Sequence, residues 1–272
     1  GACIRYKPKL HKKRIIVISR NPEEDAVKPK VSVYSGSLNP TWRGVSGNHE
    51  FVEKHTGSPD DPLIKDHIHD HERTHKPMGS PTKSVWQRSV MPNTPSKPIV
   101  LSSRDYRLTE TLQGLISRFR SSPTPAYLFI ASMFLTSYHL ITTLCHTIRS
   151  YDTVVIIVDG AQEKSNKGLA ALYRLAECRT QNNNPIDLRI YVDAHQDKKD
   201  ARIMHSKLLH RIINGSELAA VGTQNLTDTD HEDYMTVYPA DHPTCAAIIQ
   251  AREALIKASR PYHALQKSPE SE

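Results

Sequence analysis

A histidine and a lysine two residues apart occur twice in the chain, each time in the same company. His205-Ser206-Lys207 precedes an apolar run, Gly222-Thr223-Gln224-Asn225-Leu226-Thr227 follows it, and His231-Glu232 comes next. Near the start, His11-Lys12-Lys13 leads into Arg14-Ile-Ile-Val-Ile18, then Gly36-Ser37-Leu38-Asn39-Pro40-Thr41, then Asn48-His49-Glu50. Imidazoles titrate near neutral pH, so of two brought together one can hold a proton while the other lacks it. Lysine and asparagine offer charge and N–H donors to the oxygens of an anion, and a glutamate can accept from the second nitrogen of an imidazole. The candidate set is therefore His11, Lys13, Asn39 and Glu50 from the first copy, with His205, Lys207, Asn225 and Glu232 from the second. Taken singly, each has a plain structural use: the chain has 15 histidines, and an asparagine in a Gly-x-x-Asn turn serves the turn itself. The recurrence of one element order is what favours catalysis.

Positioning these groups needs strands and turns. Histidine and lysine at alternate positions are expected on one face of a strand, with the glycine turn returning an asparagine and a hydroxyl beside them. Residues 1–54 read as β-rich, with strands over Arg14–Ile18 and Lys30–Tyr34. Residues 55–98 are rich in Pro, His, Asp and Lys with little apolar period, and are expected to be a loop or linker. Within them, Asp66-His-Ile-His-Asp-His71 with His75 invites a metal reading, but its spacing misses the HxHxDH pattern of metallo-β-lactamase-like hydrolases by one residue, and a solvated, His-rich linker is favoured. Residues 99–265 alternate helix and strand. Helices are expected over Leu108–Arg120, Ser137–Tyr151, Lys167–Arg179 and Cys245–Ser259. Strands are expected over Tyr127–Phe134, Thr153–Asp159, Asp187–Val192, Met204–Ile213, Glu217–Gly222 and Tyr234–Tyr238. Residues 266–272 form a tail. The fold class is α/β, a mixed sheet flanked by helices.

The paired motifs resemble the HxK(x)4D and GSxN signatures of the phospholipase D superfamily. The resemblance implies two repeats whose motifs meet at a pseudo-twofold interface. Here one repeat is complete and the N-terminal one is truncated: about ten residues precede the first motif, against about a hundred before the second. Either an upstream segment is missing or the first domain is reduced, and self-association is another way to complete it. Ile18 and Ile212 stand where the family carries aspartate, Thr223 replaces a serine, and Arg20 to Lys30 looks like a polar hairpin insertion. The family mechanism implies cleavage of a phosphodiester through a phosphohistidine, with His11 the nucleophile, His205 the acid, and no cofactor or metal. Nucleic acid is favoured over phospholipid as the substrate. A phospholipase or phosphatidyltransferase, and an inactive anion-binding relative, are the other readings.

Bulk charge fits a polyanion, nucleic acid or an acidic lipid surface, without choosing between them. The 272 residues carry a formal charge of +7, which suits a polyanionic partner. Aromatics are 6% of the chain, too few for extensive base stacking. Cys3, Cys145, Cys178 and Cys245 are scattered without a CxxC, so free thiols and a cytoplasmic or nuclear location are expected. The apolar stretch from Ala126 to Ile148 divides into a strand and an amphipathic helix rather than a membrane span.

Overall fold

The computed structural model of the chain describes residues 13–19, 29–37, 50–73, 95–103, 108–117, 120–182, 186–192, 203–228 and 233–263. Arg14–Ser19 (β1), Lys30–Gly36 (β2) and Val52–Gly57 (β3) form a small antiparallel sheet in the order β1-β2-β3. Ile99–Ser102 (β4), Tyr127–Ser132 (β5), Thr153–Asp159 (β6), Ile186–Tyr191 (β7), Leu208–Ile213 (β8), Ser216–Gly222 (β9), Tyr234–Pro239 (β10) and Ser259–Pro261 (β11) form the main sheet. Its order is β11-β7-β6-β5-β8-β9-β10-β4. Pairs β5–β6 and β6–β7 are parallel and the others antiparallel. The helices are Pro62–Arg73 (α1), Leu108–Ile116 (α2), Tyr138–Thr147 (α3), Asn166–Asn182 (α4) and Pro243–Lys257 (α5). Parallel neighbours need a crossover, and α3 and α4 supply the two here. The expected class, a mixed sheet flanked by helices, is the one observed.

The centre of the sheet shows why it forms. Strand β6, Thr-Val-Val-Ile-Ile-Val-Asp, is β-branched and buried on both faces. Alternation sends Val154, Ile156 and Val158 into the core with Leu140, Leu144 and Leu172, and Val155 and Ile157 into the opposite core with Ile248 and Leu255. Burying each such side chain is worth about 1.5–3 kcal/mol. The Ala126–Ile148 stretch divides as expected into β5 and α3, whose N-cap Ser137 accepts from Leu140 N. Among the described residues no helix is long and apolar enough to cross a membrane.

The two motif copies build matching units. In the first, β1 pairs with β2 so that Arg14 faces Ser35, and Gly36 faces Val52 across β2–β3. In the second, Leu208 faces Val221, and Gly222 faces Met235. Each lysine thus sits one residue before its strand, and each glycine closes the next. A helix then follows each unit, α1 and α5.

Four expectations need correction. Residues 55–98 are not all linker, because they contain the end of β3 and all of α1. That helix starts where Asp61 Oδ1 accepts from Leu63 and Ile64 N with Pro62 in the first turn. His205 and Lys207 precede β8 rather than lying within a strand, and Met204 makes only an isolated bridge. Helix α2 ends at Ile116 rather than reaching Arg120. Cys145 and Cys178 are not free thiols: they form a disulfide with Cα atoms 5.4 Å apart, whereas Cys245 is free and buried. Their sulfurs meet because α3 and α4 pack side by side.

Candidate active site

Each glycine turn is held in the same way. Ser37 N donates to Phe51 O, and Phe51 N donates back to Ser37 Oγ, both at 2.9 Å. Thr223 N donates to Tyr234 O at 3.1 Å, and Tyr234 N donates to Thr223 Oγ1 at 3.2 Å. Serine and threonine play the same part here, since each turn uses the hydroxyl oxygen as acceptor from the facing backbone N–H. The turns also need glycine. A Cβ at Gly36, where φ is +139°, would stand 2.1 Å from Phe51 O, and one at Gly222 would stand 2.8 Å from Tyr234 O.

Tyr234 joins the two units. Its hydroxyl accepts from Gly36 N at 2.6 Å and donates to Lys13 O at 3.2 Å. The first-copy turn and lysine are thereby fixed against the strand of the second copy. The ring is fully buried, and burial pushes its hydroxyl well above the ordinary phenol range, so it stays a neutral donor.

This docking brings His205, Lys207, Lys13 and Glu50 together. His205 Nδ1 lies 2.8 Å from Ser37 O and 3.0 Å from Glu50 Oε2. Both partners are acceptors, so Nδ1 carries the hydrogen and Nε2 is the nitrogen left for chemistry. The His205 and Glu50 side chains are 7% and 5% exposed, so the pair is nearly dry. Glu50 was expected to orient an imidazole. The structure shows that the imidazole is the one from the other copy.

Both lysines of the site are perturbed by burial. Burial lowers Lys207 to about 7, with the neighbouring Lys13 charge adding to the effect and Glu50, Asp233 and Asp159 opposing it. Burial likewise lowers Lys13 to about 8, against the pull of Asp233 and Glu50. An anion brought to two ammonium groups held in one dry site would offset what burial costs them. Lys207 Nζ also donates to His205 O, and Gly222 N donates to Lys207 O, tying the motif to its turn.

Asn225 follows on that turn, and its side-chain oxygen is buried with no hydrogen-bond partner among the described residues. His11, Asn39 and Glu232 lie outside the described residues, as do the Arg20–Lys28 part of the hairpin insertion, His231, Cys3 and the 266–272 tail. Two carboxylates escaped the sequence reading. Asp233 accepts from Thr223 Oγ1 at 2.6 Å and faces both lysines. Asp159, ending β6, accepts from Met204 N at 2.6 Å and so fixes the backbone next to His205. Burial raises the Asp159 carboxyl above its ordinary range, against the hydrogen bonds from Ala161 and Met204 N. Asp233 adjoins Glu232, so the motif pointed to its neighbourhood; no local pattern marks Asp159. Neither isoleucine standing for the family aspartate is among the fully buried residues, and Ile18 is 59% exposed on edge strand β1.

Solved structures are similar to this fold. One is a phospholipase D family member, Nuc from Salmonella typhimurium, with a TM-score of 0.45 at 15% identity, covering 62% of this chain and all of that one. NucT from Helicobacter pylori gives 0.44 at 15% identity over 61% of this chain and 99% of its own. Polyphosphate kinase from Porphyromonas gingivalis gives 0.55 at 16% identity over 96% of this chain, which spans 37% of that one. These are likenesses of fold. No protein-family model matches the chain, and no curated protein matches it.

Proposed function

We propose that the chain is a phosphodiesterase of the phospholipase D superfamily that cleaves nucleic acid through a phosphohistidine. The observation that carries the reading is the buried His205, its Nδ1 committed to Glu50 from the other motif copy, beside two lysines whose charge burial disfavours. A phosphodiester is anionic and repels nucleophiles, so its oxygens must be neutralised while an attacking group is held in line. Lys13, Lys207, Asn39 and Asn225 supply the neutralising donors.

In the first step an imidazole nitrogen of His11 bonds to phosphorus as the bond to the leaving oxygen breaks. That oxygen takes the proton from His205 Nε2. In the second step His205 Nε2 takes a proton from water, the hydroxyl attacks phosphorus, and the bond to His11 breaks. Glu50 keeps the imidazole oriented and offsets the charge it carries when protonated. No metal takes part in these steps.

Net charge of +7 favours nucleic acid over a neutral lipid surface. The test compares a fluorescent single-stranded oligonucleotide with phosphatidylcholine vesicles, EDTA being added at the start of the assay. Oligonucleotide turnover with a phosphohistidine trapped on rapid quenching is the expected result. Turnover of vesicles alone makes the chain a phospholipase, and turnover of neither leaves an anion-binding relative.

A further inference from the structure

A second cluster of chemistry-bearing groups lies where the small sheet, α1 and β10 meet. Glu53 and His55 alternate on β3 and so share a face. Helix α1 brings His67, and β10 brings Tyr238. The donor atoms of Glu53, His55 and His67 all lie within 4.8 Å of one another. His55 Nε2 is 3.6 Å from Glu53 Oε2 and 3.1 Å from the Tyr238 hydroxyl, which also donates to Glu53.

His67 is the anomaly in this cluster. Its side chain is fully buried, and among the described residues neither ring nitrogen has a hydrogen-bond partner. A neutral imidazole carries one N–H and one lone pair, and buried polar groups are almost always satisfied. Glu53 is a buried carboxylate that accepts from Ser35 Oγ at 2.7 Å and from the Tyr238 hydroxyl, with the His55 imidazole 3.6 Å away. The guanidinium nearby, Arg14, is engaged with Asp70 at 2.8 Å and lies over the Tyr234 ring.

We propose that Glu53, His55 and His67 bind a zinc ion, with the Tyr238 oxygen at the fourth corner. Two imidazoles and a carboxylate are a borderline-soft donor set that suits Zn2+ in tetrahedral geometry. Bonds of about 2.0–2.2 Å place ligands about 3.3–3.6 Å apart. The His55–Glu53 separation of 3.6 Å already fits, and the other donor separations, at most 4.8 Å, would have to shorten by side-chain rotation on binding. The ion satisfies the idle imidazole and offsets the buried carboxylate together. It ties β3, α1 and β10, and thereby steadies the segment that begins at Glu50. It is a structural ion, apart from the phosphodiester chemistry.

A comparison within the molecule sharpens the assignment. His210, Glu217 and Cys245 also lie within ligand reach of one another. There both ring nitrogens of His210 are taken, Nε2 by Glu217 at 2.8 Å and Nδ1 by Arg252 at 3.1 Å. With both nitrogens engaged, this cluster is the control.

The test is a Co2+ titration of the full chain after dialysis against a chelator. The expected result is about one equivalent bound with visible bands of tetrahedral cobalt, displacement by Zn2+, and a melting temperature higher by several degrees. Glu53→Gln and His67→Asn are each expected to weaken binding by about tenfold or more, and His210→Asn to leave it unchanged. A wild-type chain that neither shows the bands nor melts higher with zinc overturns the proposal, whether or not the variants fold. So does binding that survives in both Glu53→Gln and His67→Asn, or that is lost in His210→Asn alone.

Discussion

Glu50 Oε2 lies 3.0 Å from His205 Nδ1, a contact between residues 155 apart in the chain that joins one motif copy to the other. The carboxylate fixes which nitrogen bears hydrogen and holds the ring against Ser37 O. Glu50→Gln keeps an acceptor but removes the charge that offsets the imidazolium. The variant is expected to fold and to lose about 10²-fold in kcat with little change in KM. Steady-state kinetics on the oligonucleotide checks this, and wild-type kcat rules out the orienting role.

His205→Ala removes the proposed acid and His11→Ala the proposed nucleophile. Both are expected to abolish turnover while the melting temperature stays within a few degrees of wild type. The proton is needed only at the leaving oxygen, so a substrate with an activated leaving group should restore phosphoenzyme formation to His205→Ala but not to His11→Ala. Mass spectrometry of quenched protein reads the difference, and rates like wild type in either variant refute the assignment.

Anion binding should depend on pH through the lysines. Lys207 and Lys13 are lowered to about 7 and about 8, so both are charged below these values and lose their protons above them. Sulfate keeps its charge over this range. Its affinity should fall as pH rises from 6 to 9, read by calorimetry. A flat profile, or one that rises, contradicts a lysine receptor.

Stability should follow the opposite course. The unfolded chain binds more protons than the folded one between the folded and unfolded lysine values, so Lys207 destabilises fully below about 7 and progressively less above. Lys207→Met is therefore expected to raise the melting temperature at pH 6, with the gain shrinking towards pH 10. Thermal scans at several pH values test it, and a gain that grows with pH contradicts the buried amine.

The glycine turns offer a stability test independent of catalysis. Gly36→Ala meets both a backbone carbonyl at 2.1 Å and a φ of +139°, and is expected to cost about 2–4 kcal/mol. Gly114 in α2 has nothing within 4 Å of its would-be Cβ, so Gly114→Ala should be neutral or stabilise by up to about 1 kcal/mol. Denaturant unfolding compares the two, and equal effects would contradict the close approach at Gly36.

Periodicity made the inner strands of the main sheet legible, whereas its short edge strands β4 and β11 carry too few residues to show a period. Strand β6 falls on the expected Thr153–Asp159, because a β-branched run buried on both faces has no other use. Helix α1 was missed because its inward face is Ile64, His67, Ile68 and Asp70, half of it polar, so the apolar stripe is broken. Strand β3 was missed for the same reason: its buried position is Glu53, where alternation leads one to look for an aliphatic residue. The Asp61-Pro62 helix start was present in the sequence and went unread.

The sequence by itself determined which residue types repeat in which order, since His, Lys, Gly and Glu at matched places in two copies are visible without coordinates. Only the tertiary structure decided that Glu50 serves His205, that Tyr234 clasps Gly36 and Lys13, and that Cys145 meets Cys178. Those contacts arise from one sheet docking on another and one helix on its neighbour. Their partners are set by packed surfaces far apart in the chain, which no local spacing encodes.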